Sequence, residues 1–208
     1  MTPTEAHAAT PMATKAATKA ATTAASQAAA SARPRVAAPS TPAATEAPRL
    51  CRVLLEDGGA PSLPPLIEAD RAQAVADLAA ANRFALLSPR RVANADGPYA
   101  LHLAIHDGRL VFDVRNDDDA PLAAIGLALG PFRSLIKDYQ MLVDSHMHAV
   151  QEGRMERIQA IDMGRRGLHN EGADLMRARL QGKIDIDFDT ARRLFTLVCV
   201  LHQRIAAR

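Results

Sequence analysis

Residues 99–106, Y-A-L-H-L-A-I-H, place their larger apolar side chains at every second position. Asp107-Gly108 follows, a pair that tolerates the positive φ of a two-residue turn, and then R-L-V-F-D-V-R. Such a turn fixes the register. With His106 opposite Arg109, Ile105 faces Leu110, Leu103 faces Phe112 and Leu101 faces Val114, so every large apolar side chain but Val111 falls on one face. The other face carries His102 opposite Asp113 and Ala100 opposite Arg115. A second turn, N-D-D-D-A-P, returns the chain into a segment where Ile125, Leu127 and Leu129 alternate. The pattern predicts a three-stranded antiparallel meander.

Elsewhere the period changes from two to 3.6. Residues 67–81 are helix-prone, and a short strand near 50–55, L-C-R-V-L-L, is expected to join the sheet. Pro131 suits the first turn of a helix whose buried stripe is Phe132, Leu135, Ile136, Tyr139, Leu142, Val143 and Val150. Residues 154–181 project Met155, Ile158, Ile161, Leu168, Leu175, Met176 and Leu180 onto one side. They predict one long helix, or two collinear ones joined near Gly164-Gly167. K-I-D-I-D-F alternates as a short strand at the sheet edge. After it, Asp187 or Asp189 caps a last helix that is apolar almost all round from Leu194 to Leu201, and therefore central to the core. The expected fold is α+β: an antiparallel β-meander of three to five strands packed against about four helices.

Composition divides the chain. Nineteen of the first 48 residues are Ala, and no Phe or Tyr precedes Phe84, so residues 1–48 have little to bury against the entropy of ordering. They read as a disordered Ala/Thr/Pro-rich tail, with residues 49–208 as a single α+β domain. The chain carries 25 basic and 23 acidic residues. Four and two of these lie in the tail, which leaves 21 of each in the domain. A neutral domain gives no electrostatic case for nucleic acid or an anionic membrane.

The tail reads as a low-complexity extension; its poverty in acids also overlaps the composition of organellar transit peptides. No apolar run approaches the ~20 residues of a membrane span. Cys51 and Cys199 match no metal or redox spacing. These features predict a soluble cytoplasmic protein, with an organelle as the alternative location.

Candidate chemistry gathers in residues 161–172, I-D-M-G-R-R-G-L-H-N-E-G. On the helical projection Gly172 lies inside the apolar stripe, where it lets a neighbouring backbone approach closely. Arg165 also falls inside the stripe, with Asp162 and His169 on its border, while Arg166, Asn170 and Asp174 face away. A charge at a packed surface is costly unless paired, so Arg165 needs Asp162, an acid elsewhere in the fold, or an anionic ligand. His146 and His148 point about 200° apart on their helix and share no metal. No nucleophile elbow, phosphate loop, zinc motif or dinucleotide fingerprint occurs; no metal or cofactor is expected.

The 161–172 stretch, the K-I-D-I-D-F-D-T-A-R-R-L-F-T-L-V-C-V-L-H ending, the G-P-Y-A-L-H-L hairpin entry and the P-F-R-S-L-I-K-D-Y helix start together resemble an uncharacterised family of small bacterial proteins of unknown function, over roughly residues 50–203. That resemblance implies a bacterial cytoplasmic origin and supplies no activity, cofactor or partner. Three readings follow from the residues. The first is a small binding or regulatory module in which Arg165 and His169, with Asp162 and Lys137, hold an anionic ligand or partner group. The second is a structural protein acting as a homo-oligomer through an open sheet edge or face. The third, and weakest, is an acid-base enzyme using His102-Asp113 or His169-Glu171.

Overall fold

A computed structural model describes residues 48–56, 63–87 and 95–206. The tail, up to residue 47, lies outside them. Among the described residues six strands and four helices follow in chain order: β1 (Leu50–Leu55), α1 (Pro65–Ala80), β2 (Phe84–Leu86), β3 (Tyr99–His106), β4 (Arg109–Arg115), β5 (Pro121–Ala128), α2 (Arg133–Gln151), α3 (Met155–Leu180), β6 (Ile184–Ile186) and α4 (Phe188–Ala206).

The hairpin has the expected register, from His106 opposite Arg109 to Ala100 opposite Arg115, and β5 extends the meander antiparallel to β4. Asp107 and Gly108 both take positive φ, 49° and 70°, as a two-residue turn of this kind requires. The sheet order is β1-β3-β4-β5, and it corrects the purely antiparallel expectation: β1 runs parallel to β3, with Leu50 opposite Tyr99. The connection between them contains α1, which gives the chain the length a parallel return needs. K-I-D-I-D-F is a second correction. Its strand, β6, pairs with β2 in a separate two-stranded sheet rather than at the edge of the main one. Phe84 of that small sheet meets Tyr99 of the main sheet edge to face, with ring centroids 5.7 Å apart.

Leu101, Leu103, Leu110, Phe112 and Val114, all from one face of the sheet, enter a core shared with the helices. At the centre is α4, whose residues from Leu194 to Leu201 are all buried. Asp187 caps it, accepting a 2.7 Å hydrogen bond from Thr190 N–H. A short 3₁₀ turn, Gly130–Phe132, places Pro131 before α2 proper. Val150 departs from the predicted stripe, at 54% exposed, as does Met155 at 64%. Both sit at the α2–α3 corner on its solvent side, while Ala149 is buried there and its carbonyl accepts from Arg154 N–H.

The long helix is a single one. It runs unbroken through Gly164 and Gly167, and Gly172 serves as the point of close approach: a Cβ there would stand 2.2 Å from Phe195 Cδ1 of α4. Main-chain groups at the other end are held by Asn82, whose side chain accepts from Leu50 N–H and donates to the carbonyls of Leu50 and Leu78. One side chain thus ties the end of α1 to the start of β1. No helix among the described residues is long and apolar enough to cross a membrane.

Candidate functional site

The helical projection puts Arg165 against the core, and the fold supplies two carboxylates for it. Its Nη1 donates to Asp70 Oδ1 on α1 and its Nη2 donates to Asp162 Oδ1 at 3.0 Å, one turn back on α3. Of the partners the sequence allows, the internal ones are both present. Asp70 occupies a position equivalent to Arg165 on its own helix: three residues after buried Ile67 and four before buried Ala74, it too lies on an apolar stripe. Its second oxygen accepts from Tyr139 O–H of α2 at 2.9 Å. Asp70 therefore joins three helices through one carboxylate.

Electrostatics follow from the packing. Burial works against the Arg165 charge, but the hydrogen bonds and charges of Asp70 and Asp162 more than offset it and hold its pKa above the ordinary arginine value. Burial, reinforced by the Asp70 charge, raises the Tyr139 hydroxyl, so it stays protonated and remains a donor. His169, one turn beyond Arg165, is 8% exposed, between the rings of Tyr139 (5.5 Å) and Phe195 (6.1 Å). Burial lowers its pKa to about 4; the Asp70 charge opposes the shift, and those of Arg165 and Arg192 reinforce it. At neutral pH the ring is uncharged, with one nitrogen to donate and one to accept.

These residues open onto a cleft of about 190 Å³ between α1, α3 and α4. Asp70 and Asp77 face it from α1, Arg165 and His169 from α3, and Arg192 and Arg193 from α4, with Gln73, Ala74, Arg166 and Thr196 completing the lining. Two arginine doublets on two helices thus meet at one place. Their neighbours only partly satisfy them. Arg193 Nε lies 3.1 Å from Asp77 Oδ2 without the alignment of a hydrogen bond, and Arg193 Nη1 and Arg192 Nε stand 3.6 and 3.9 Å from Asp189, a well-exposed carboxylate. Asp77 itself accepts from Gln73 Nε2 at 2.7 Å. Among the described residues, five buried nitrogens around this cleft have no hydrogen-bond partner: His169 Nε2 and four guanidinium donors, Arg165 Nε, Arg192 Nε, and Nε and Nη1 of Arg193. Buried donors of this kind are uncommon, and each costs free energy comparable with a lost hydrogen bond.

The fold brings Arg165, His169 and Asp162 together, with Asp162 behind Arg165 and outside the lining, and leaves Lys137 apart, exposed on α2. Asp70, Tyr139, Arg192 and Arg193 were not singled out in the sequence. The signals for them were a carboxylate inside an apolar stripe and a second Arg-Arg doublet in the second turn of the most buried helix. His102 does face Asp113 across β3 and β4, but its nearest acids are Glu56 and Asp119, each at 3.4 Å, while Asp113 accepts from Arg115 at 2.8 Å. Glu171, the other acid paired with a histidine in the enzyme reading, is exposed while His169 is buried. Cys199 is fully buried, and burial raises its thiol well above the ordinary value. Among the described residues no group of three or more His, Cys, Asp or Glu side chains could hold a metal ion.

A family model described as "Uncharacterised protein family (UPF0262)" matches residues 47–204. The UPF0262 protein of Granulibacter bethesdensis is 63% identical over 167 residues, which cover 79% of this chain and 95% of the relative. That of Acidiphilium cryptum is 62% identical over 156 residues, 75% of this chain and 93% of the relative. That of Maricaulis maris is 53% identical over 161 residues, 76% and 96% respectively. No solved structure matches the chain.

Proposed function

Because the chain belongs to UPF0262, an uncharacterised family with bacterial members, its activity has to be argued from its own residues, and we propose that it is a small cytoplasmic binding module that recognises an anionic group at the α1–α3–α4 cleft. What carries this reading is the set of five buried nitrogens without partners, four of them guanidinium donors, all on residues that line one cleft. Guanidinium forks suit oxyanions because they offer paired donors at fixed geometry and keep their charge at any working pH. Arg165 is already committed to Asp70 and Asp162, so it serves as the floor of the site. Arg192 and Arg193, held less completely, are the groups that take the ligand, and exposed Arg166 stands at the rim.

Thermal shift with sulfate, phosphate and citrate tests this. Such anions stabilise most proteins by exclusion from their surface, so the readout is the difference between wild type and Arg192→Gln rather than the shift itself. A larger shift in wild type is expected. Equal shifts in the two proteins would end the proposal.

A homo-oligomer is the second reading, supported by the groove of about 460 Å³ that Pro65, Leu66, His146, Met147, Val150 and Gln151 form beside the α2–α3 corner. Light scattering across a hundredfold concentration range tests it: a constant monomer mass rules it out.

A further inference from the structure

We infer that the group held in the cleft is a phosphoryl group, a tetrahedral dianion whose parent molecule stays outside. This rests on the anion-binding reading above and narrows it to one chemistry. Three observations point the same way. The first is size. A cleft of about 190 Å³ has room for about six water molecules at roughly 30 Å³ each, and it is smaller than the roughly 300 Å³ at which pockets for whole small-molecule ligands begin. It fits a head group of five heavy atoms with the first atom of its linkage. It does not enclose a nucleoside or a sugar.

The second is the placement of the donors. Arg165 Nε comes from α3, with His169 Nε2 beside it, while Arg192 Nε and Arg193 Nε and Nη1 come from α4. A carboxylate presents two oxygens in one plane, which a single fork satisfies. Donors that arrive from two helices, across from a third helix, suit an acceptor with three terminal oxygens spread in space.

The third is charge. Arg165, Arg166, Arg192 and Arg193 line the cleft against Asp70 and Asp77, and Asp162, 3.0 Å from Arg165, takes up one of the two positive charges left over; the lining stays net positive, which favours the −1.5 to −2 of a phosphomonoester near neutral pH over a monoanion. Asp189 reduces this further from outside the lining. Asp189 is 69% exposed and no closer than 3.6 Å to either arginine, so solvent screens much of its effect. His169 remains neutral and does not add to the count.

The test is titration calorimetry on the full chain at pH 7.5 and constant ionic strength, with inorganic phosphate, glycerol phosphate, malonate and methyl sulfate as probes. The expected result is binding of a phosphoryl probe at least tenfold tighter than malonate or methyl sulfate. Preference for glycerol phosphate would identify an ester as the source, and preference for inorganic phosphate would identify the free ion. Arg192→Gln is expected to weaken the phosphoryl probe at least about tenfold, as loss of a charge-assisted hydrogen bond does. Arg192→Lys keeps the charge but removes the fork, and Arg166→Ala changes only an exposed position; both are expected to fold normally and to weaken binding by smaller factors. Malonate binding as tightly as phosphate would overturn the phosphoryl assignment and leave the anion-binding reading standing. If no probe binds, both fall; phosphoryl binding that no arginine variant alters would overturn the placement in this cleft.

Discussion

Replacing Gly172 by alanine should destabilise the protein, whereas the same change at Gly167, five residues earlier on the same helix, should stabilise it. At position 172 the added Cβ would stand 2.2 Å from Phe195 Cδ1 and 2.4 Å from Cε1 and Cγ, against the 3.4–4 Å of ordinary contact. Something must yield by more than an ångström. Phe195 has little freedom to do so, being fully buried, stacked on Phe132 at 6.2 Å and edge-on to His169 at 6.1 Å. Overpacking of this kind costs typically 1–3 kcal/mol and here belongs at the upper end, while alanine returns about 1 kcal/mol of helix propensity. The net is about 2 kcal/mol, or roughly 4–8 °C of Tm for a domain of this size. A Cβ at Gly167 meets nothing within 4 Å, and one at Gly164 meets only Leu142 at 3.7 Å. Those two variants should gain up to about 1 kcal/mol each. Thermal and urea unfolding followed by circular dichroism measure all three, and Phe195→Leu should recover part of the loss at 172. If all three alanines stabilise equally, the close approach of α3 to α4 is wrong, and with it the position of His169 and Arg165 over the cleft.

Arg165→Met and Asp70→Asn should each cost on the order of 3 kcal/mol, because either leaves the other's charge in a largely buried site. The double variant should cost at least 1 kcal/mol less than the two singles added, and strict additivity in urea melts would mean that the pair is not formed. Acid should weaken the fold through His169. Its folded pKa of about 4 lies below its ordinary 6.5, so the unfolded chain binds a proton that the native one refuses. The stability involved is present in full above about pH 6.5, is lost as pH falls to about 4, and amounts to roughly 3 kcal/mol. His169→Gln should flatten that slope; an unchanged pH profile would show that the ring is not desolvated. A thiol reagent should label one cysteine per native chain, exposed Cys51, and two after denaturation. Rapid labelling of both in the native protein would contradict the burial of Cys199.

Where the sequence was legible, the constraint was local. The β3–β4 register could be read because two turn residues set it and each apolar pair then agreed with the next, from Ile105 with Leu110 to Leu101 with Val114. Gly172 could be read because a helix projects its residues at a known angle, so a glycine within an apolar stripe implies a close neighbour, although not which one. The parallel direction of β1 and the separate pairing of β6 with β2 were not legible, since each depends on a partner tens of residues away. The site was half visible. Arg165 stood out as a charge on a buried stripe, and Asp70 could have been found by the same test applied to α1. Two opposite charges misplaced on two apolar stripes predict one another, 95 residues apart. Arg192 and Arg193 were harder to find, because nothing in one helix says which face of another will meet it.

The parallel pairing of β1 has a consequence in time. β3 and β4 are joined by two residues and can zip within microseconds, whereas β1 reaches β3 only after a long closure, with Leu50 finding a partner 49 positions on. Because α1 lies in that connection, the helix bearing Asp70 and Asp77 is expected to dock late, when the meander already stands. In folding kinetics, Val53→Ala should then act mainly on the unfolding rate and Phe112→Ala mainly on the folding rate; the reverse would invert the order. On this order Arg165 and Arg193 wait for Asp70 and Asp77. The cleft is the last part of the molecule to be made, and a bound anion would be a brake on the first part to come undone.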